Sequence, residues 1–547
     1  MASRIFTRAD VIAGVTTAVL LVPQAMAYAL LAGLPPQFGL YASSVPLLVY
    51  AALGTSRRLA LGPVAIDSLL LAAAVAPLAV ATGLGYPSLA LTLTLMVGTL
   101  QALMGLAGLG FVANFLSRPV LSGFTSATAL LIASSQLGAL TGVALPRGRF
   151  DEVVVALVAQ SRQLHWPTVA FSLTALAGMW LLELYFKRFP RALAIVAIAT
   201  IASALLRVES AGVALVGIVP SGLPEIATPL GSISAWQALM PAAVSIALVS
   251  FVESLSVAQF LARSEGQDVD PNRELLAVGG ANVASSFFGG YVVSGGLSRS
   301  AVNAEAGAQS RVAGVVTALC VGLTLMFFTP LFRHLPKAVL AAMVLSAALR
   351  LIDGRQARRL WTIKSSDFGL LLLSFVATLL LGVQLGLALG VGSSLVLFLV
   401  RTTRPHAAVL GRLPGTDCYR NVKRFPEAEV RDDLLIVRVD AQFYFGNVTF
   451  LKRALDELRR ERPSLLAIVL DASGMNQLDS SALDALLELD ERLTKAGVSL
   501  LFAEVKGPVR DVLERSGWLS DLQARGRIFL RVHDAVLSLP AASVKDK

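Results

Sequence analysis

Arg299 is the residue with the most distinctive chemistry in this sequence, because it follows a glycine-rich run inside a long apolar region. Residues 294–300 read SGGLSRS. A guanidinium group deep in an apolar phase is costly, so it normally has a role, and its positive field suits an anion. Its neighbour Ser298 can cap a helix that begins here and donate a hydrogen bond to the same anion. The alternative is an arginine that pairs with a carboxylate for structure alone.

Glu253 lies in residues 245–261, a stretch with no other charged residue. A carboxyl group in a low-dielectric environment resists ionisation, so its proton can be exchanged when water or an anion arrives. Glu253 is therefore a candidate proton-coupling residue. The alternative is a salt bridge between Glu253 and Arg299 without a coupling role.

Gln24 and Tyr28 are one helical turn apart and share a helix face. An amide and a phenol can donate hydrogen bonds to an oxyanion without carrying charge, although such residues also join helices within membranes. Val64, Ala65 and Ile66 begin a second apolar helix and would offer backbone N–H groups.

Two interrupted apolar stretches contain these residues, one beginning at residues 62–68 (GPVAIDS) and the other at 294–300. Residues 64–76 would form a helix of about 20 Å, shorter than a hydrocarbon core of about 30 Å. The second stretch runs only to about residue 305. Two short helices in corresponding halves of a chain indicate a secondary transporter with inverted repeats and a site near the bilayer centre.

The composition agrees with a polytopic membrane protein. Of 547 residues, 55% are hydrophobic and 15% are charged, against about 25% charged in soluble domains. The net charge of +10 reflects basic loops between apolar spans, so we expect a bilayer and no nucleic acid as partner. No P-loop motif occurs, and no metal cluster or nucleophile–base pair is evident; we predict no enzyme activity, no cofactor and no metal.

The apolar runs predict fourteen membrane spans in two inverted sets of seven, with the third and tenth spans as half-helices. Basic residues concentrate in alternate loops, which places the N-terminus and the C-terminal tail in the cytoplasm and the protein in the plasma (inner) membrane. The predicted spans are residues 11–31, 36–54, 64–76, 86–108, 118–140, 167–186, 191–206, 237–262, 274–290, 298–308, 311–332, 337–352, 367–382 and 384–401.

The tail changes to alternating strands and helices, which predicts a small α/β domain. We predict a transmembrane domain at residues 1–401, a linker at 402–432 and the α/β domain at 433–547. Ser480 and Ser481 stand at a strand-to-helix junction, where Ser480 is the expected N-cap.

The chain resembles the SulP family of anion transporters, which includes sulfate permeases, pendrin and prestin. The membrane part carries the resemblance in residues 23–36 (PQAMAYALLAGLPP), 39–41 (GLY), 54–57 (GTSR), 62–63 (GP) and 295–303 (GGLSRSAVN). The tail resembles a STAS domain, the fold of anti-sigma-factor antagonists, through residues 470–474 (LDASG) and 478–483 (LDSSAL).

The resemblance implies a core (spans 1–4 and 8–11) that moves against a gate (spans 5–7 and 12–14), usually in a homodimer. It implies anion binding between the N-termini of spans three and ten, with Gln24, Tyr28, Ser298 and Arg299 at the pocket. It also implies a regulatory or partner-binding site at Ser480 and Ser481.

We therefore predict secondary active transport of an inorganic anion, sulfate with protons, by an elevator-type motion. C4-dicarboxylate–proton symport and chloride–bicarbonate exchange remain open, as does an anion-binding membrane sensor that does not transport. A nucleobase permease of similar architecture is a further alternative, against which Arg299 between half-helices argues.

Overall fold

A computed structural model of the protein describes residues 7–115, 117–146, 150–185, 191–229, 231–263 and 268–540. The chain divides into two compact units, Met1–Ser394 and Leu395–Lys547.

The first unit is helical. Its α-helices are α1 (Arg8–Leu31), α2 (Pro36–Tyr41), α3 (Val45–Leu53), α4 (Ala65–Thr82), α5 (Tyr86–Leu106), α6 (Arg118–Thr141), α7 (Phe150–Ala159), α8 (Trp166–Tyr185), α9 (Arg191–Leu205), α10 (Ile233–Arg263), α11 (Pro271–Phe287), α12 (Leu297–Glu305), α13 (Val312–Leu323), α14 (Lys337–Leu349), α15 (Gly354–Ile363), α16 (Ser365–Leu381) and α17 (Val383–Thr403), the last of which continues into the second unit. Two short strands, β1 (Leu61–Gly62) and β2 (Ser294–Gly295), pair antiparallel.

Eight helical segments in the described part of the chain are long and apolar enough to cross a membrane. They are α1, α4, α5, α6, α8, α10, α17 and the segment Val312–Phe332, in which α13 continues through a π-helical and a 3-10 turn. Such exposed apolar helices are expected where lipid, not water, covers the surface. Helices α9 and α16 are apolar but shorter.

The third predicted span is longer than the sequence suggested. Helix α4 has 18 residues, about 27 Å, because it continues through Pro77 to Thr82. Proline removes one internal hydrogen bond, whereas ending the helix there would leave several backbone groups without partners in an apolar environment. The helix ends instead at Gly83, whose φ of 68° permits a left-handed cap. Helix α12 is short, with nine residues.

Two further differences concern neighbouring segments. The span predicted at 36–54 is broken into α2 and α3, separated by a turn at residues 42–44. Helices α7 and α15 occupy connections for which the apolar pattern gave no span, because α7 has only ten residues and α15 has one apolar side only.

Glycines set the closest helix contacts of this unit. A Cβ atom on Gly98 of α5 would lie 2.5 Å from the backbone nitrogen of Val283, and one on Gly279 of α11 would lie 2.6 Å from that of Ala102. Helices α5 and α11 can therefore approach backbone to backbone only with glycine at these positions.

The second unit is an α/β domain. Its elements are β3 (Ala407–Arg412), β4 (Tyr419–Asn421), β5 (Leu434–Val439), α18 (Val448–Arg460), β6 (Ala467–Asp471), α19 (Ser480–Lys495), β7 (Ser499–Ala503), α20 (Gly507–Arg515), α21 (Trp518–Ala524), β8 (Ile528–Phe529) and α22 (Val532–Leu537). The strands form one six-stranded sheet of order β4-β3-β5-β6-β7-β8. The strands β5 to β8 are parallel, and β3 and β4 extend the sheet antiparallel.

Successive side chains of each strand point to opposite faces of the sheet, so the domain has a hydrophobic core on each face. Leu435 and Val437 pack with α18 to α21, whereas Leu434 and Ile436 pack with α22 on the other face. Strands β3 and β4 lie in residues 402–432, where the sequence had predicted a linker. Their short and partly polar pattern gave no clear period.

Candidate anion site at two helix starts

The antiparallel pair β1–β2 brings two helix starts together. Leu61 lies opposite Gly295 and Gly62 opposite Ser294, and each strand leads directly into a helix, α4 after β1 and α12 after β2. The N-cap residues are Val64 and Gly296, and neither helix start is capped by a side chain. The first N–H groups of both helices are thus available to a ligand, with the positive ends of the helix dipoles beside them.

Arg299 lies in the first turn of α12 and is the largest of the fully buried side chains, with 1% of its surface exposed. Its Nη1 donates a hydrogen bond to the carbonyl oxygen of Pro63 at 2.6 Å, and its Nη2 donates to that of Ser294 at 3.4 Å. Within the described residues, no carboxylate lies within 4.0 Å of this guanidinium group, and Nε has no partner. The geometry therefore does not show the direct salt bridge between Arg299 and Glu253 that was the structural alternative.

Gly296 makes room for this guanidinium group. A Cβ atom at this position would lie 2.8 Å from Cζ and from Nη2 of Arg299. Real Cβ atoms do not approach neighbouring atoms so closely, so the arginine conformation requires glycine here.

Two carboxyl groups face the arginine. Asp67, in the first turn of α4, is fully buried, and its Oδ2 accepts a hydrogen bond from the hydroxyl group of Ser294 at 2.5 Å. Glu253 lies on α10 next to Ser254, whose hydroxyl oxygen accepts a hydrogen bond from the backbone nitrogen of Gly295. Helix α10 thereby holds Glu253 against β2.

Gln24 and Tyr28 of α1 complete one side of the site. The amide nitrogen of Gln24 donates to the phenol oxygen of Tyr28 at 2.9 Å, which confirms that they share a face. Tyr28 is close enough to interact electrostatically with Arg299 and Glu253. The sequence prediction thus named residues from α1, α10 and α12 that the fold brings together.

Four buried polar atoms in this region have no hydrogen-bond partner. They are Gln24 Oε1, Asp67 Oδ1, Glu253 Oε2 and Arg299 Nε. Among the residues that the structure describes, the other unpartnered buried side-chain atoms are all hydroxyl oxygens. Buried polar groups are normally paired, so a cluster of unpaired amide, carboxyl and guanidinium atoms indicates a place for a polar ligand or proton.

The remaining predicted site residues lie at the two helix starts. Ala65 and Ile66 are buried and Val64 is half-buried, so their contribution would be through the backbone, as predicted. Ser298 is in the first turn of α12 with an exposed side chain. The expectation that Ser298 caps this helix is wrong, because the helix starts one residue earlier and Gly296 occupies the N-cap position.

The sequence did not predict a network of polar side chains that lies next to β2. Asn282 of α11 donates to the carbonyl oxygen of Val293 and accepts from the Val293 nitrogen at 2.8 Å. The same amide group donates to Gln101 of α5, whose own amide nitrogen donates to Ser250 of α10. This network fixes the backbone that leads into α12. The available signal was the presence of Gln101 and Asn282 within apolar spans, where polar residues usually bind one another.

Ser480 and Ser481 are both exposed at the start of α19. The expected N-cap at Ser480 is wrong, because the preceding Asp479 performs this role: its Oδ1 accepts from the backbone nitrogen of Ala482 at 2.8 Å. Its Oδ2 accepts from the nitrogen of Phe445, which ties the α19 start to a neighbouring loop. The hydroxyl groups of both serines are left free of the cap.

Fold and site together define a polytopic helical membrane protein with an α/β domain and a site at two helix starts that contains a buried arginine. A profile of the sulfate permease family matches residues 7–374, and a STAS domain profile matches residues 425–535. The chain belongs to the sulfate permease family, as the resemblance had indicated.

Individual relatives agree over nearly the full chain. A probable sulfate transporter of Arabidopsis thaliana, 4.2, is 38% identical over 97% of this chain and 81% of its own length. A probable sulfate transporter of Mycobacterium tuberculosis is 38% identical over 97% of this chain and 95% of its own. The solved structure of the murine Slc26a9 anion transporter in the inward-facing state has a TM-score of 0.90 at 26% identity, covering 98% of this chain and 92% of that one. The protein is therefore an anion transporter of this family.

Proposed function

We propose that the protein carries out secondary active transport of sulfate together with protons. The observation that carries this proposal is Arg299, a buried guanidinium group held by two carbonyl oxygens beside two uncapped helix starts. Carbonyl oxygens orient the group without neutralising its charge, so its attraction remains available to an anion. The names of the related sulfate transporters favour sulfate as that anion.

In this proposal the anion lies between the starts of α4 and α12. Backbone N–H groups of Val64, Ala65 and Ile66 donate from one side, and Ser298 and Arg299 donate from the other. Gln24 and Tyr28 add donors without charge. Glu253 takes up a proton with the anion, because a buried carboxylate next to a bound anion would otherwise repel it.

The movement we propose is of the elevator type. The core (spans 1–4 and 8–11) would carry the site past the gate (spans 5–7 and 12–14), within fourteen spans arranged as two inverted sets of seven. The antiparallel pairing of β1 with β2, each followed by a helix, is what two inverted copies would produce at their junction. We further propose a homodimer in the plasma (inner) membrane, with the N-terminus and the STAS domain in the cytoplasm.

The STAS domain is proposed to regulate transport through Ser480 and Ser481, whose exposed hydroxyl groups are accessible to a kinase or a partner. Intact-mass measurement of the protein purified from growing cells would detect a phosphate there. A truncated protein that lacks residues 402–547 would show whether the C-terminal tail is required for transport.

The deciding experiment is uptake of labelled anions into proteoliposomes under an imposed pH gradient, with sulfate, bicarbonate, chloride and fumarate in parallel. Sulfate accumulation driven by an inward proton gradient supports the proposal. Preferential fumarate uptake would indicate a C4-dicarboxylate symporter, and gradient-independent chloride–bicarbonate flux an exchanger. Anion binding without flux would indicate a sensor.

A further inference from the structure

We propose that Asp67 is a second proton-binding carboxyl group of the anion site and acts together with Glu253. This inference rests on the proposed proton-coupled function and adds to it, because it gives the site two proton acceptors for one divalent anion. An aspartate in the first turn of α4 is otherwise puzzling, since an ionised carboxylate would repel the anion that the adjacent N–H groups attract.

The surroundings of Asp67 leave one of its oxygens available. Oδ2 accepts a hydrogen bond from the Ser294 hydroxyl group, whereas Oδ1 is buried and has no partner. The Glu253 carboxyl group also lies near Ser294, and its Oε2 is buried and unpartnered. Ser294 of β2 thus stands between two carboxyl groups from two different helices.

The ionisable groups that interact with Asp67 are Arg299 of α12, Glu253 of α10 and Tyr291, whose hydroxyl group contacts Ser68 of α4. Tyr28 of α1 lies next to this group and interacts with Arg299 and Glu253. Arg299 is the one cation among them, and it makes no ion pair with either carboxyl group within 4.0 Å in the described chain. With both carboxyl groups ionised, the site would hold one positive and two negative charges before any anion arrives.

Sulfate would then bring two more negative charges into a buried, net-negative site, which the low dielectric makes strongly unfavourable. One proton on each carboxyl group removes this repulsion. The protons come from water on the side where sulfate enters and bind at Asp67 Oδ1 and Glu253 Oε2. Each new O–H group can donate to a sulfate oxygen, and both protons return to water when sulfate leaves. No covalent bond other than O–H forms or breaks.

The contrasting interpretation is a purely structural Asp67 that remains ionised and serves as an acceptor for Ser294. In that case only Glu253 would link sulfate binding to pH. The two interpretations therefore differ in the number of protons taken up per sulfate.

The test is the affinity of the full-length protein for sulfate between pH 5 and 9, measured by calorimetry. The slope of log Kd against pH gives the number of protons bound with sulfate. We expect a slope approaching two for wild type at the alkaline end, and about one for both Asp67→Asn and Glu253→Gln. Glu274→Gln is the matched control: Glu274 is an equally buried carboxyl group of α11, but both of its oxygens are hydrogen-bonded, to Tyr50 and Thr55. Its slope should equal that of wild type.

A wild-type slope that Asp67→Asn leaves unchanged would overturn this inference while leaving Glu253-based coupling intact. A wild-type slope of zero would overturn the proposed proton coupling itself, and the inference with it. If Asp67→Asn does not fold, the calorimetric test of that variant is replaced by sulfate-induced infrared difference spectra of Glu253→Gln. A protonated carboxyl band that appears with sulfate in this variant supports Asp67, and its absence contradicts it.

Discussion

The Nη1 atom of Arg299 donates a hydrogen bond to the carbonyl oxygen of Pro63, 2.6 Å away, although 236 residues separate the two in the chain. Arg299, which carries the charge at the start of α12, is thus held by the backbone that precedes α4. We expect a substitution at either helix start to alter the geometry of both.

Removing the guanidinium group should abolish most of the sulfate affinity. We expect Arg299→Ala to raise Kd by about 30-fold to several thousand-fold, since truncating one partner of a buried charged contact costs about 2–5 kcal/mol. Calorimetry on the detergent-purified protein measures this. Arg311→Ala is the control, because Arg311 also donates to backbone carbonyls, those of Ala52 and Gly54, but outside the site. Equal affinity of Arg299→Ala and wild type would remove Arg299 from the site.

Neutralising Glu253 should weaken the coupling of sulfate flux to the proton gradient. In proteoliposomes, Glu253→Gln should still exchange sulfate for sulfate, but an inward proton gradient should drive less sulfate accumulation than in wild type, because Glu253 no longer contributes a proton. The physical reason is that glutamine keeps the shape and hydrogen-bonding capacity of the protonated side chain but cannot release a proton. Undiminished gradient-driven accumulation by this variant would contradict a coupling role for Glu253.

A methyl group at position 296 should disturb the site without changing its charge. In Gly296→Ala, the new Cβ would have to displace the guanidinium group of Arg299, so we expect sulfate affinity to fall by about tenfold, equivalent to about 1.4 kcal/mol. Gly85 provides the matched control: it is the N-cap of α5 and has open space at its Cβ position. Gly85→Ala should bind sulfate as wild type does, and an equal loss in both variants would point to a general effect of alanine at helix starts.

The STAS domain offers a prediction about pH. Arg431 donates two hydrogen bonds to the carboxylate of Asp433, at 3.0 and 2.7 Å, and holds the pKa of that carboxyl group below its usual value. A lowered pKa in the folded state stabilises the fold above the unfolded-state pKa of about 4, and this stabilisation is lost as the pH falls through the lowered pKa.

Asp433→Asn should therefore cost about 1 kcal/mol of domain stability at pH 7, a modest value because both side chains are partly exposed. The difference from wild type should shrink towards pH 3. Hydrogen exchange of β5 and β6 in the full-length protein, compared between variant and wild type at each pH, measures it. A difference that persists unchanged at low pH would exclude the ion pair as its source.

The sequence located the residues of the candidate site better than the backbone that joins them. Arg299 and Glu253 were evident because charge is rare in apolar spans, and the starts of α4 and α12 were located to within about a residue by the glycine–proline and glycine–glycine pairs that precede them. The pairing of β1 with β2 was not predictable, because two-residue strands more than 200 residues apart leave no periodic pattern. For the same reason the contact between Ser294 and Asp67 could not be foreseen.

Errors in the α/β domain and at helix ends have local causes. Residues 434–439 are a continuous run of apolar residues broken only by Arg438 and form β5, and residues 448–460 have their apolar residues at helical spacing and form α18. Ser480 was misassigned as a cap because Asp479, one residue earlier, accepts the capping hydrogen bond. Ser298 was misassigned because α12 begins at Leu297, with Gly296 as its N-cap residue. A sequence pattern marks a helix start but does not fix which neighbour takes the cap.

The backbone ladder between Leu61–Gly62 and Ser294–Gly295 ties the starts of α4 and α12 to each other. Because each strand leads directly into its own helix, we expect the two helix starts to move as one unit. Separating the strands would leave backbone groups without partners in an apolar environment, which is costly. We therefore expect a bound anion to be exposed by movement of other helices around this unit, and not by separation of the two strands.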